Sequence, residues 1–178
     1  MRMLAEYFGV SLDAVTYAMR RFNFKLRNKK SASAAAFAHK PLSFKVKNNL
    51  TMNDEVLKAL GAALYWGEGY KAGGKGVDFA NGDSSMIKVF LRFLREICRV
   101  DEKRLRIYVY CHSQKDIPRL IQHWSRITRI PRSQFSKPYV AKRTSIKGRG
   151  MPNGLIHIRY SDKKLLHLIL SWIQEYAG

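Results

Sequence analysis

One carboxylate stands apart in this chain. Glu68 lies between Gly67 and Gly69 in GAALYWGEGYK, Gly61 to Lys71, just past a small-residue stretch that reads as a packed helix. An acid at a helix C-terminus faces the negative end of the helix dipole, so a purely solvated role is an uncomfortable one. It is also isolated in a basic chain, with 33 Lys and Arg against 13 Asp and Glu. Glu68 therefore poses the functional question, whether the protein cuts a polyanion or only holds one. Other chemistries find less support. His39, His112, His123, His157 and His167 are scattered, and none pairs with Cys98 or Cys111 at zinc spacing. Asp83 precedes SSMIKVF, where it can cap a helix, and Asp78 reads as a strand surface residue.

The formal charge of +20 repels itself and argues for a polyanionic partner, nucleic acid first and an anionic membrane surface second. No apolar run approaches the roughly 18–20 residues of a spanning helix, and MRMLAEYFGVS lacks the long apolar segment of a signal peptide. No membrane and no small-molecule substrate are expected. The two cysteines read as reduced structural residues, and a cytoplasmic, nucleoid-associated setting is the expectation. An apolar fraction of 46% is enough for one substantial domain with a small appendage.

The elements follow from periodicity. In residues 1–30, Leu4, Ala5 and Phe8 share a helical face. Gly9-Val10-Ser11 interrupts it, and Ser11 caps a second helix striped by Ala14, Val15, Ala18, Met19 and Phe22. This outline resembles a helix-turn-helix in which Arg20 and Arg21 meet phosphates. Residues 31–53, rich in Ser and Ala and broken by Pro41, read as a basic linker. From residue 54 to 178 the pattern is α+β. A helix capped by Asn53 or Asp54 precedes two short strands, Gly69–Ala72 and Gly76–Asn81, joined at Gly73-Gly74. An amphipathic helix comes next, then an alternating strand from Arg104 to His112 and a helix over 117–130. Strands QFSKPYVAKR and GLIHIRYSD and a last helix, DKKLLHLILSWIQEY, close the chain. A curved antiparallel sheet with helices on one face satisfies this order. Its open face would meet DNA through Lys71, Lys75, Arg106, Tyr108, Tyr110, His112, Lys142, Arg143, Lys147, Arg149, His157 and Arg159.

GAALYWGEG resembles the LAGLIDADG motif of homing endonucleases in Leu64, the small Ala62, Ala63 and Gly67, the acid Glu68 and the final Gly69. Trp66 departs from the pattern, standing where the family often has a first, non-catalytic acid. The resemblance covers about residues 54–176 and extends to the order of elements, with 113–135 looking like an insertion. It implies an αββαββα core and a site-specific double-stranded DNA endonuclease. A single motif implies a homodimer whose two Glu68 carboxylates hold Mg2+ (or Mn2+) against the scissile phosphates. It further implies that Asp83 positions water or metal and that Lys137 or Lys142 supports the phosphate charge. The alternatives are a non-cutting DNA-binding transcriptional regulator on the same fold and, more distantly, an RNA-binding or splicing-assisting protein.

Overall fold

The computed structural model describes every residue except 26–28, 73, 112, 114–115 and 142–151. The chain divides into two units, Met1–Pro41 and Leu42–Gly178.

In the first unit α1 (Arg2–Phe8) ends at Gly9, whose φ of 62° is the left-handed conformation that glycine adopts without strain. Ser11 accepts the Ala14 N–H at 3.1 Å and so caps α2 (Leu12–Arg21). The expected helix, glycine turn and capped helix are all present. A further helix, α3 (Lys29–His39), occupies residues assigned to the linker. Its sequence, KKSASAAAFAH, is alanine-rich, and alanine is the strongest helix former. Low complexity here marks a helix with little amphipathic pattern rather than a connector. Val15 is the one buried apolar side chain among the described residues of this unit, while Tyr7, Phe8, Tyr17, Phe22 and Phe24 stay exposed.

The second unit begins before the expected boundary at 54. Residues 43–50 form a strap over its core. Lys45 N–H donates to the Cys98 and Arg99 carbonyls, Lys47 N–H donates to the Ile97 carbonyl at 2.8 Å, and Phe44 bridges Val100. These carbonyls end a helix and have no partner within it, so the strap supplies their hydrogen bonds. Phe44, Val46 and Leu50 pack on the core. Ser43 Oγ donates to the Asp162 carboxylate at 2.6 Å, tying the strap to the last helix. The linker assignment is thus corrected at both ends, by α3 and by this strap.

The motif helix α4 (Met52–Glu68) starts earlier than expected, with Thr51 rather than Asn53 or Asp54 as cap. Thr51 and Asp54 form a reciprocal capping box, and Lys47 Nζ holds the same carboxylate at 2.7 Å. These partners, Lys47 foremost, keep the Asp54 carboxyl far below its ordinary range.

Strands β1 (Val77–Asn81), β2 (Arg106–Cys111), β3 (Tyr139–Val140) and β4 (Leu155–Tyr160) form one four-stranded sheet in the order β1-β4-β2-β3. Three expectations are corrected here. The sheet is mixed, because β3 runs parallel to β2. The two strands expected as a pair across the basic turn are not neighbours, since β2 lies between β3 and β4. The Gly69–Ala72 strand shrinks to one bridge, Gly69 to Phe79. So short a stretch, rich in Gly and Lys, leaves little to pair or bury there.

Helices α5 (Ser84–Arg92, extended by one π-helical turn to Ile97), α6 (Ile117–Thr128) and α7 (Lys163–Ala177) cover one sheet face with α4. Phe79, Ile107, Val109, Ile156 and Ile158 point into that core and are fully buried. Strand alternation puts Asp78, Arg106, Tyr108, Tyr110, His157 and Arg159 on the other face. Gly61 lets α4 approach the core closely, because a Cβ there would fall 2.1 Å from the Phe93 ring. Among the described residues no helix is long and apolar enough to cross a membrane.

Candidate nucleic-acid interface

Glu68 is the last residue of α4 and is exposed. No hydrogen bond or ion pair engages its carboxylate among the described residues. Gly69 and Tyr70 set its place. Gly69 makes an antiparallel bridge with Phe79, and Tyr70 N–H donates to the Asp78 carbonyl at 2.9 Å. Glu68, still helical, immediately precedes this bridge to β1. Gly69 is required at the junction, since a Cβ would lie 2.4 Å from the Tyr65 carbonyl oxygen. Tyr65 anchors the turn from below, its hydroxyl donating to the Tyr70 carbonyl at 2.8 Å. Burial pushes that phenol up to about 12, so it remains a donor. Lys71 Nζ donates to the Trp66 carbonyl and brings a cation to the negative end of α4, close in sequence to Glu68.

Across the sheet one register row runs through Ala80, His157 and Tyr108, and a parallel row runs through Asp78, Arg159 and Arg106. Asp78 links the rows. Its Oδ1 lies 2.6 Å from His157 Nδ1, and its Oδ2 accepts from Arg159 Nε at 2.6 Å. Burial works to raise the Asp78 carboxyl, but His157 and Arg159 together outweigh it and hold the group below the usual carboxylate range. A carboxylate only accepts, so His157 carries its proton on Nδ1 and presents Nε2 away from Asp78. The His157 ring stacks on Tyr110 at 4.5 Å, and the Arg159 guanidinium lies 4.2 Å above the Tyr108 ring. Arg106 is anchored at the strand end by the Lys103 and Leu105 carbonyls, at 2.7 and 2.8 Å. It faces Arg159 across the β2–β4 pair, a like-charge contact that Asp78 offsets from the other side.

The expected site residues divide accordingly. Arg106, Tyr108, Tyr110, His157 and Arg159 share the open face, with Lys71 and Lys75 exposed at its β1 side. Arg20 and Arg21 are exposed in the last turn of α2. His112, Lys142, Arg143, Lys147 and Arg149 lie outside the described residues. Asp83 is a helix cap, its Oδ1 accepting from the Ser85 and Met86 N–H groups at 2.6 and 3.3 Å. Lys137 does not join Glu68 within one chain. It precedes β3 at the far edge of the sheet, four strand spacings or about 19 Å from the Gly69 bridge. There it lines a cleft with Ile117, Ile121, Arg132 and Phe135. Asp78 is the candidate site residue that sequence reasoning left aside. The available signal was alternation, which put an acid on a face otherwise basic and aromatic.

Among the described residues no group of three or more His, Cys, Asp or Glu side chains is placed to hold a metal. Glu68 is the right donor for a hard cation, which accepts one or two carboxylates and keeps several waters.

The outer face of α4 is apolar, with small residues among larger ones. Met52, Val56, Leu60 and Trp66 are 49–79% exposed, and Gly67 has nothing within 4 Å of where a Cβ would stand. A groove of about 250 Å³ runs beside it, lined by Ala59, Ala62, Ala63, Trp66, Ile173 and Tyr176.

No protein-family model, curated protein or solved structure matches this chain.

Proposed function

We propose that this protein is a site-specific double-stranded DNA endonuclease that works as a homodimer with a divalent metal. The observation that carries the reading is Glu68, an exposed carboxylate at the end of α4, unpaired among the described residues and one residue from the bridge to β1 of a sheet whose other face carries stacked cationic and aromatic side chains. Two copies of α4 would pack through Ala63 and Gly67, where small residues permit close backbone approach and where no described residue stands within 4 Å of a Cβ added at Gly67. Glu68 and Glu68 of the partner subunit then hold Mg2+ or Mn2+ between them. The ion supplies Lewis acidity toward a phosphodiester and lowers the pKa of its bound water. The chain's own residues do the rest. Lys71 and Lys75 meet phosphates near the β1 edge, the β2–β4 ribbon enters the major groove, and Arg20 and Arg21 add phosphate contacts from α2.

The regulator reading has one specific observation in its favour, the capped α1–Gly9–α2 unit, which is a DNA-reading outline independent of Glu68. One experiment separates the two. A randomised double-stranded DNA library is incubated with Mg2+ and either the wild type or Glu68→Gln. Staggered cuts from the wild type alone support the nuclease. Enrichment of bound DNA by both proteins with no cut from either leaves the regulator.

A further inference from the structure

Resting on the DNA-binding reading common to nuclease and regulator, we infer that Arg159 reads a guanine in the major groove and that Asp78 is its positioning residue.

Arg159 stands on a central strand, paired on one side with Asp78 and on the other with Arg106. Two independent contacts fix its guanidinium. Nε is spent on Asp78 at 2.6 Å, and Cζ lies over the Tyr108 ring, 4.2 Å from its centroid. Besides Asp78, the Tyr108 side chain is its polar neighbour among the described residues, and the Arg159 side chain is 35% exposed. A guanidinium held by Nε and over the Tyr108 ring has its terminal-nitrogen edge left to match guanine O6 and N7.

Phosphate is the competing anionic partner, and Asp78 argues against it. Its carboxylate touches both Arg159 and His157, so a phosphate brought to this point would meet a fixed negative charge within a few ångströms. A neutral base edge carries no such penalty. Phosphate contacts fall instead to exposed lysines such as Lys71 and Lys75 at the rim. The geometry of the support fits as well, since the β2–β4 antiparallel pair is a two-stranded ribbon of the kind the major groove admits.

The test uses the full chain and a randomised double-stranded DNA library, with selection for binding in Ca2+ so that bound DNA is recovered intact. Wild type, Arg159→Lys and Asp78→Asn are compared, each first checked for wild-type circular dichroism. The wild type should select a site with a required G·C pair, preferred over other pairs by roughly 5- to 150-fold. Arg159→Lys keeps the charge and should keep overall binding within a few-fold while losing that preference. Asp78→Asn, with Arg159 intact, should relax the same position and leave the others unchanged, which a merely structural role would not do. Three results overturn the inference. If Arg159→Lys retains every preference, the guanine reader is elsewhere. If Asp78→Asn tightens binding to all sequences alike, Arg159 is a phosphate contact that the acid was weakening. If the wild type selects no DNA, the DNA-binding reading falls with it.

Discussion

Gly61→Ala adds one methyl group to the most crowded point of α4. The new Cβ would lie 2.1 Å from Phe93 Cγ and 2.3 Å from Cδ2. Carbon atoms in contact sit at about 3.5–4.0 Å, so the ring must retreat by roughly 1.5 Å. It has nowhere to go. Phe93 is fully buried, with the Phe90 ring at 5.8 Å and the Trp172 ring edge-on at 5.9 Å. Overpacking of this kind costs about 1–3 kcal/mol, and a clash this deep belongs at the upper end. Against it stands the gain of about 1 kcal/mol for replacing glycine by alanine inside a helix. The net loss should be about 2 kcal/mol, or roughly 8 °C in Tm for a unit of this size. Gly67→Ala is the internal control, because the same exchange in the same helix meets nothing within 4 Å. It should leave the monomer's thermal unfolding unchanged or slightly improved. Melting followed by far-ultraviolet circular dichroism checks both variants. A Gly61→Ala protein as stable as the wild type would refute the close packing of α4 on Phe93, and with it the account of why this helix is built from small residues.

Three other expectations concern the edges of the fold. A chain beginning at Leu42 should unfold cooperatively, whereas one beginning at Met52 loses the strap and the partial burial of Phe44, Val46 and Leu50, costing roughly 3 kcal/mol in urea titration. Ala63→Glu, on the exposed face of α4, should abolish a homodimer in sedimentation at a protein concentration where the wild type sediments as a dimer, with monomer stability kept within about 0.5 kcal/mol. Acid should also act through Asp78 and Asp162, whose carboxyls are held below their ordinary range in the fold. For Asp162, burial is outweighed by Ser43 and the N–H groups of Leu165 and Lys164. A depressed carboxyl stabilises fully above about pH 5 and loses that contribution as pH falls through its ordinary value toward the folded one. The urea midpoint should therefore drop below about pH 5, and Asp78→Asn should make that drop shallower.

Much of this protein was legible in its sequence, for local reasons. Strict alternation in RLRIYVYCH determined which side chains of β2 are buried, and Leu105, Ile107, Val109 and Cys111 are the buried set. Gly9 and Ser11 marked the turn and cap between α1 and α2, because left-handed backbone and a side-chain acceptor are single-residue properties. The break at Gly69 was equally visible. The linker failed because alanine-rich composition signals both a flexible connector and a helix, and because the strap at 43–50 gains its hydrogen bonds from carbonyls far along the chain, at 97–99. Strand order was likewise beyond local reading. Nothing near Tyr139 and Val140 announces a parallel partner in β2, since pairing is chosen by where the chain returns and not by the residues of the short strand. The same holds for the interface. Composition and charge indicated a basic face, but only tertiary structure brought Asp78 between His157 and Arg159, from a distant part of the chain, and moved Lys137 to the far edge from Glu68. Side-chain type and period are written residue by residue, whereas which charges meet depends on long-range pairing that the sheet alone decides.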